Sequence, residues 1–597
     1  MELRVFARHE LVGDLLSTSG RALTYDCLPK PGEPTLLLEG SWPSEASDGM
    51  RWSLDDAIDG RFDWIDEVAT DWAAALAEDD CGAAYLNVLP LRYYLVKLLR
   101  LAAYFSDVQA LRDFDGVELV AAVGRDRDYA DVLAQMCRAA GVPCHVRWVT
   151  GTERASQQFP RNAPWRRWAG QLLGGSAIRK SAREIVLCGN PRLLDPVCGQ
   201  LLRQGCRPAW LYDRFALKSW LRWRASGVRQ LVCDSSLGRE NTLTPQPFAP
   251  DLAQRLVCRG VSLAGPIRRW MAERTKAHGP RQTRLVEQID AHFRQICPQA
   301  VVLDEDATPM ARAVVAVARR HGARSFVVQH GVPCCRFGFA PAAADRVLVW
   351  GRSSELQLLD WGVPPERIRV TGWPQYDRKR VTVPVLRGSA TATPTPLTRS
   401  PRILLLATVP PRDDRPDSVA LHLTGRSYAE MLRMAFATVA GIDAVELIVK
   451  LHPRTTDDPV IGALHSEFSA MRCRVVRRGP LLRWLDGIDC VLSCGSTAGV
   501  EAAMAGLPVI QLVPPGATGF PPHDRWGLVG TARRAAELQR LLGRVLVEGW
   551  RGHGWADPDV VDNVDKPAAA RVVDEILRTP PTEIPSHPPG DGHVRIR

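Results

Sequence analysis

The chain has 597 residues, enough for three to four compact units at about 100–200 residues each, and its 46% hydrophobic and 24% charged composition excludes global disorder and a small disulfide scaffold. No run reaches the ~18 consecutive apolar residues of a membrane-spanning helix, and the start MELRVFARHE lacks the regions of a signal peptide, so a cytoplasmic protein is expected. The net charge is +10, and fifteen irregularly spaced cysteines without a C-x-x-C pair read as reduced thiols, with neither a disulfide framework nor a metal site implied.

Residues 1–178 alternate apolar strand candidates (117–123, 144–149) with helical patterns (84–105, 129–140) and read as an N-terminal α/β region, accessory or part of an acceptor domain. Residues 151–290 carry 24 Lys and Arg against 10 Asp and Glu, which leaves the rest of the chain net negative. Cations alternate with tryptophans there, as in Trp165, Arg166, Arg167 and Trp168, in Trp220, Arg222, Trp223 and Arg224, and in Arg268, Arg269 and Trp270. Such clusters suit an anionic membrane surface, with the indole at headgroup level and the cation on lipid phosphate. A solvated basic face with partly buried tryptophans is the plainer reading, and RNA binding by stacking is the remaining one.

A β-α-β rhythm starts afresh at 184–189, with a helix through 202 and a strand at 207–212, and resumes with 300–303, a helix over 310–321, and strands at 325–329 and 346–350. Strands apolar throughout imply a parallel sheet covered on both faces. The Pro/Thr/Ser-rich stretch 384–401 reads as a linker between a first domain at 179–383 and a second at 402–578. The second carries strands at 402–407, 445–451, 490–493 and 508–512, and the Pro/His/Gly-rich tail 579–597 reads as disordered. The expected fold class is α/β, with two doubly wound Rossmann-like domains facing a cleft and an extra N-terminal α/β region.

In such sheets ligands bind beyond the carboxyl ends of the strands, which singles out four turns. In the run Lys450, Leu451, His452, Pro453, Arg454, the imidazole suits a phosphate oxygen and Lys450 or Arg454 adds positive charge; a structural strand-end histidine has the same pattern. Ser493, Gly495, Ser496 and Thr497 form a small-residue turn leading into a helix, where backbone N–H groups and the helix dipole favour an anion, although ordinary N-capping also fits. Glu501, one turn on, suits a ribose hydroxyl or simple solvation of the helix. His330, after Val327 to Gln329, has the unperturbed pKa of a general base, about 6.5, or is structural; Asp304, Glu305 and Asp306 supply a base or an acceptor contact, or cap the next helix.

The segment 301–377, with Val-Val-Gln-His-Gly-Val-Pro, Val-Leu-Val-Trp-Gly and the run from Gly362 to Asp377, resembles the end of the first domain of GT-B glycosyltransferases. Leu447 to Arg454 and Ser493 to Gln511 resemble their second domain. The resemblance spans about 184–575 and points to bacterial surface-carbohydrate enzymes with cytidine-nucleotide donors: capsule Kdo transferases, polysialyltransferases and CDP-glycerol glycerophosphotransferases. It implies that His452, Ser496 and Thr497 bind donor phosphate and that His330 is the base. Some of these families carry an acid-acid-Gly motif; here the acids precede Ala307, which favours His330.

The resulting expectation is a metal-independent transferase without a resident cofactor. It would move a sugar from a CMP- or other nucleotide-activated donor to a surface polysaccharide or lipid-linked glycan, at the inner face of the cell membrane and with no nucleic-acid partner. Closure about 384–401 would exclude water. A glycerophosphotransferase, a nucleotide-sugar 2-epimerase and a non-catalytic glycan-binding scaffold are the alternatives.

Overall fold

The computed structural model describes residues 2–6, 35–37, 51–53, 62–79, 83–106, 111–122, 126–149, 183–212, 223–233 (without 224), 256–377 (without 259, 334, 335 and 337), 399–410, 425–549 (without 454, 456, 478 and 515–528), 560–562 and 567–578. Within them three open parallel sheets lie in chain order, in the α/β class expected from the sequence: two are doubly wound, and one precedes them.

The first unit comprises β1 (Glu2–Phe6), β2 (Thr35–Leu37), β3 (Arg51–Ser53), α1 (Phe62–Asp79), α2 (Ala83–Leu86), α3 (Val88–Ser106), β4 (Gly116–Ala122), α4 (Arg127–Ala140) and β5 (Cys144–Val149), with sheet order β3-β2-β1-β4-β5. Leu3, Val5, Leu119 and Ala121 of the sheet are buried against Leu95 and Leu99 of α3 and Val132, Leu133 and Met136 of α4. The apolar residues of α4 recur at helical spacing, and the helix stops where Gly141 takes up the left-handed conformation at φ 74°.

The second unit contains β6 (Glu184–Cys188), α5 (Pro191–Arg203), β7 (Arg207–Tyr212), β8 (Arg229–Val232), a hairpin of β9 (Val257–Cys258) and β10 (Val261–Ser262), α6 (Ala264–Ile296), β11 (Ala300–Leu303), α7 (Pro309–Arg320), β12 (Arg324–Val328), β13 (Arg346–Val349), α8 (Arg352–Asp360) and β14 (Ile368–Val370). Its seven-stranded sheet runs β14-β13-β12-β11-β6-β7-β8, all parallel. All four residues of β11 are buried, as a strand covered on both faces requires. The third unit has β15 (Arg402–Leu406), α9 (Gly425–Ala440), β16 (Glu446–Lys450), α10 (Pro459–Glu467), β17 (Arg472–Val476), β18 (Cys490–Ser493), α11 (Thr497–Met504), β19 (Val509–Leu512), β20 (Val529–Ala532), α12 (Ala535–Leu546) and α13 (Ala568–Arg578), in sheet order β17-β16-β15-β18-β19-β20.

Two connections cross the boundaries drawn along the sequence. The 33-residue α6 is about 50 Å long at 1.5 Å per residue, and so serves two cores. Its Ile267 and Met271 join the first core together with Leu256, Cys258 and Val261, while Leu285, Ile289 and Phe293 join the second. At the crossing, Gln282 and Asn87 exchange two buried amide hydrogen bonds of 2.9 and 3.1 Å. The last helix, α13, leaves the third unit: Val572, Val573 and Ile576 pack with Leu194, Val197 and Leu201 of α5. Both Asp377 carboxylate oxygens cap it by accepting the Ala568 and Ala569 N–H groups at 3.0 and 2.8 Å.

The expected surface patch of tryptophans and arginines is corrected in part. Trp223 is 4% exposed and stacks on buried Trp210 at 5.2 Å, so its indole is core and faces neither lipid nor acceptor. Trp270 is half-buried and stacks on Tyr94, while Arg269 pairs with Asp128 and Asp131; alternation with cations here reflects packing between α3, α4 and α6. Trp165, Arg166, Arg167, Trp168, Trp220, Arg222 and Arg224 lie outside the described residues, as do the 384–401 linker and the 579–597 tail. Among the described residues no helix is long and apolar enough to cross a membrane.

Candidate functional site

A doubly wound sheet reverses its strand order once, and the loops leaving the two strands at that point diverge to opposite faces and open a crevice. In the second unit the reversal falls between β6 and β11, and in the third between β15 and β18. The turns after β11 and β18 hold two of the four segments singled out by sequence, and the turn after β12 holds a third.

After β11, Asp304 Oδ2 accepts the N–H of Asn190 at 3.0 Å, across the switch point. Gly189 permits this approach, because a Cβ there would come within 2.1 Å of Asp304 Oδ1, and its φ of +144° is one that other residues rarely adopt. Burial pushes the Asp304 carboxyl above its ordinary pKa, against the opposing pull of the Asn190 N–H and the neighbouring His330. His330 Nδ1 lies 2.9 Å from the Asp304 backbone oxygen. A carbonyl only accepts, so Nδ1 carries a proton, and Nε2 is the ring nitrogen that holds the lone pair in this tautomer. The ring also stacks on Phe339 at 4.8 Å, which fixes its plane.

The preceding residue holds the turn in place. Gln329 Oε1 accepts the Trp350 N–H at 2.8 Å, its Nε2 donates to the Gly331 oxygen at 2.8 Å, and its backbone oxygen accepts Trp350 Nε1–H at 2.9 Å. Sequence reasoning passed over Gln329, Gly189, Asn190 and Phe339. The one available signal was the Gly-Asn-Pro turn directly after a strand, which places a small residue at a crevice.

The other two acids are corrected to structural roles. Glu305 accepts the N–H groups of Ala307 and Thr308 at 2.8 and 2.9 Å, and the Thr308 hydroxyl, and so braces the turn before α7, whose N-cap is Thr308. Asp306 is fully buried and its Oδ2 accepts the N–H groups of Ala343 and Ala344 at 2.6 and 2.8 Å, anchoring the loop before β13. Both hold neighbouring loops, which leaves Asp304 as the acid of the three beside the switch point.

In the third unit, Ser496 is the N-cap of α11, its Oγ accepting the Ala498 N–H at 3.2 Å, and Thr497 is the first helical residue. Gly495 makes the turn at φ 72°. Ser493 is buried, and its Oγ accepts the Ser496 N–H at 3.3 Å and donates to the Ser496 oxygen at 3.5 Å; it shapes the turn from beneath. Gly499 allows that fit, since a Cβ there would sit 2.6 Å from Ser493 Oγ. Glu501 is half-buried in the second turn of α11.

After β16, His452 is half-buried, Pro453 is exposed, and the His452 oxygen accepts the Thr455 N–H at 2.9 Å; Arg454 lies outside the described residues. Lys450 differs from expectation. It is 7% exposed with Nζ donating to the Leu451 oxygen at 3.4 Å, and burial pushes its pKa down, so the ammonium is turned onto its own backbone. The Cys494 thiol is fully buried and pushed up to about 12 by desolvation and by the carboxylate of Asp458, which makes it a packing residue. Among the described residues no group of His, Cys, Asp and Glu is arranged to hold a metal ion.

The turn after β12, one strand from the switch point of the second unit, meets the switch-point turn of the third. A Cβ placed on Gly331 would stand 3.8 Å from Thr497 Oγ1, so the His330–Gly331 turn of the second unit abuts the N-terminus of α11 in the third. Behind the contact, Val332, Trp350, Trp373 and Tyr376 share one hydrophobic cluster with Leu404, Val500, Ala503 and Met504. The Tyr376 hydroxyl donates to the Met504 oxygen at 3.0 Å, and the Asp562 N–H donates to the Trp350 oxygen at 2.9 Å.

No family model and no curated protein sequence matches the chain. Among solved structures it is similar to the Methanocaldococcus jannaschii UDP-GlcNAc 2-epimerase in complex with UDP-GlcNAc and UDP (13% identity, TM-score 0.42, covering 66% of this chain and 100% of that one). It is also similar to the Neisseria meningitidis UDP-GlcNAc 2-epimerase bound to UDP-GlcNAc (12%, 0.41, 66% and 99%) and to a lipopolysaccharide outer core galactosyltransferase, WaaB (11%, 0.41, 66% and 99%). At this level of likeness the chemistry of the site is read from its own geometry.

Proposed function

We propose that the protein is a glycosyltransferase that moves a sugar from a nucleotide-activated donor to a hydroxyl of a surface polysaccharide or lipid-linked glycan. The observation that carries this reading is the abutment of the His330–Gly331 turn after β12 and the capped N-terminus of α11 at the switch point of the third unit. One supplies a proton acceptor and the other a seat for phosphate.

In this scheme the donor phosphate lies on the N-terminus of α11, with the Ser496 and Thr497 hydroxyls and His452 donating to its oxygens. The acceptor oxygen approaches the anomeric carbon from the His330 side. Nε2 takes the hydroxyl proton as the new C–O bond forms, and the bond from the anomeric carbon to the phosphate oxygen breaks. The leaving phosphate gains negative charge, which the helix dipole and the hydroxyl donors offset. Nδ1–H, held on the Asp304 oxygen, stabilises the imidazolium, and the adjacent Asp304 carboxylate favours the same charge.

The test is a product assay. Wild type incubated with nucleotide sugars and a membrane glycan fraction releases free nucleotide and elongates the acceptor. His330→Ala retains nucleotide binding and loses transfer by about 10²–10⁴-fold, the range for removing a general base. Equal transfer by wild type and His330→Ala contradicts the assignment. An isomerised nucleotide sugar formed without acceptor makes the protein an epimerase instead.

A further inference from the structure

The loop that carries Phe339 belongs to the second unit, and the first unit holds it from outside. Arg336 makes the turn: its backbone oxygen accepts the N–H groups of Phe339 at 3.1 Å and Ala340 at 2.8 Å. Its side chain reaches α1, where Nη2 donates to Glu67 Oε1 at 3.2 Å and Nη1 stands 3.9 Å from Asp71 Oδ1. Glu67 and Asp71 are four residues apart and so share one face of α1. Arg92 of α3 donates to the Ala340 oxygen at 3.5 Å, and Thr70, Ala73 and Leu89 of the first unit line one narrow recess with Phe339 and Pro341. From within the second unit, Asp306 accepts the Ala343 and Ala344 N–H groups and pins the far end of the same loop.

His330 depends on this loop for its orientation. The hydrogen bond from Nδ1 to the Asp304 oxygen fixes one atom of the ring and leaves the plane free to tilt about it. The direction of Nε2 is therefore set by the surface on which the ring lies, and that surface is Phe339, with centroids 4.8 Å apart and planes within 10°. Gly338 closes the same side, since a Cβ on it would stand 3.9 Å from His330 Cε1. A general base acts only when its lone pair is aimed at the proton it takes, and a misplacement of about 1 Å costs as much as 10²-fold in rate.

We propose that Phe339 is the positioning residue of His330, and that the first unit sets Phe339 through the contact of Arg336 with Glu67 and Asp71. The first unit then acts on the candidate site through the second. That His330 is a base rests on the transfer proposed above, whereas the orientation of its ring does not.

The test labels the histidines of the full chain with carbon-13 at Cε1 and follows the His330 signal by NMR, assigned by its loss in His330→Gln. The Phe339 ring current displaces that signal, and Phe339→Leu, which keeps an apolar side chain and loses the ring, should abolish the displacement. Glu67→Gln combined with Asp71→Asn should move the signal in the same direction by a smaller amount, and so should Arg336→Gln. All three together should move it no further, as befits residues that act through one contact. In the product assay, Phe339→Leu should lower kcat by up to about 10²-fold with KM unchanged. Glu67 and Asp71 are exposed, so their variant carries the result if Phe339→Leu fails to fold. A His330 signal indifferent to Phe339→Leu overturns the positioning role, and one indifferent to the Glu67 and Asp71 substitutions, or shifts that add in the triple variant, overturns the route through Arg336. If the signals move as expected and wild type transfers no sugar, the transfer reading falls and the positioning stands.

Discussion

At the residue scale, chemistry in the cleft depends on which atoms are already occupied. Asp304, Glu305 and Asp306 are equivalent by composition, yet their donors divide them: Glu305 and Asp306 hold the turn before α7 and the loop before β13, while Asp304 takes the Asn190 N–H across the switch point. That division was illegible in the sequence, since it depends on the loop before β13 and on Gly189 from another strand. His330 was legible, because a polar residue directly after an apolar strand marks the crevice, but its tautomer follows from the Asp304 oxygen. The raised pKa of Asp304 gives a signed prediction. A carboxyl whose folded pKa lies above its unfolded value contributes stability at low pH and loses it as pH rises through the folded pKa. Asp304→Asn keeps an oxygen for the Asn190 N–H and removes the buried charge. Its melting temperature relative to wild type should therefore rise between pH 4 and pH 7, and a pH-independent difference would contradict the assignment.

At the element scale, strands were the legible part. Runs such as Ala300–Leu303 and Arg402–Leu406 are apolar on both faces, and their helices begin at recognisable caps: Asn190 before Pro191, Thr308 before Pro309, Asp458 before Pro459 and Ser496 before Thr497. The partner of each helix was not legible. Periodicity shows that α13 has a buried face, and only the structure shows that the face lies on α5 of the preceding unit. The same holds for α6, whose two halves serve different cores. The double cap by Asp377 makes the crossing of α13 testable. Asp377→Ala removes the acceptor of two N–H groups and should cost about 1 kcal/mol, the usual loss for an N-cap. Amide hydrogen exchange across 568–578 should accelerate accordingly, while α9 and α12 stay protected. Unchanged exchange would place the anchor of α13 elsewhere.

At the scale of the whole molecule, the second and third units are built alike, each doubly wound, and the turn after β12 of one meets the switch-point turn after β18 of the other. The hydrophobic cluster behind the Gly331–Thr497 contact fixes how the two turns face. The central claim is that the two turns form one nucleotide-sugar cleft. Calorimetric titration with CMP, CDP, UDP, GDP and ADP, on wild type, Ser496→Ala and Gly331→Leu, tests it most directly. The account predicts that one nucleotide binds saturably, adding about 2.7 kcal/mol of stability at 100 times its Kd. It further predicts that binding weakens in Ser496→Ala and also in Gly331→Leu, whose side chain would enter from the opposite unit toward Thr497. Binding indifferent to both substitutions, or no binding of any of the five nucleotides, would contradict it.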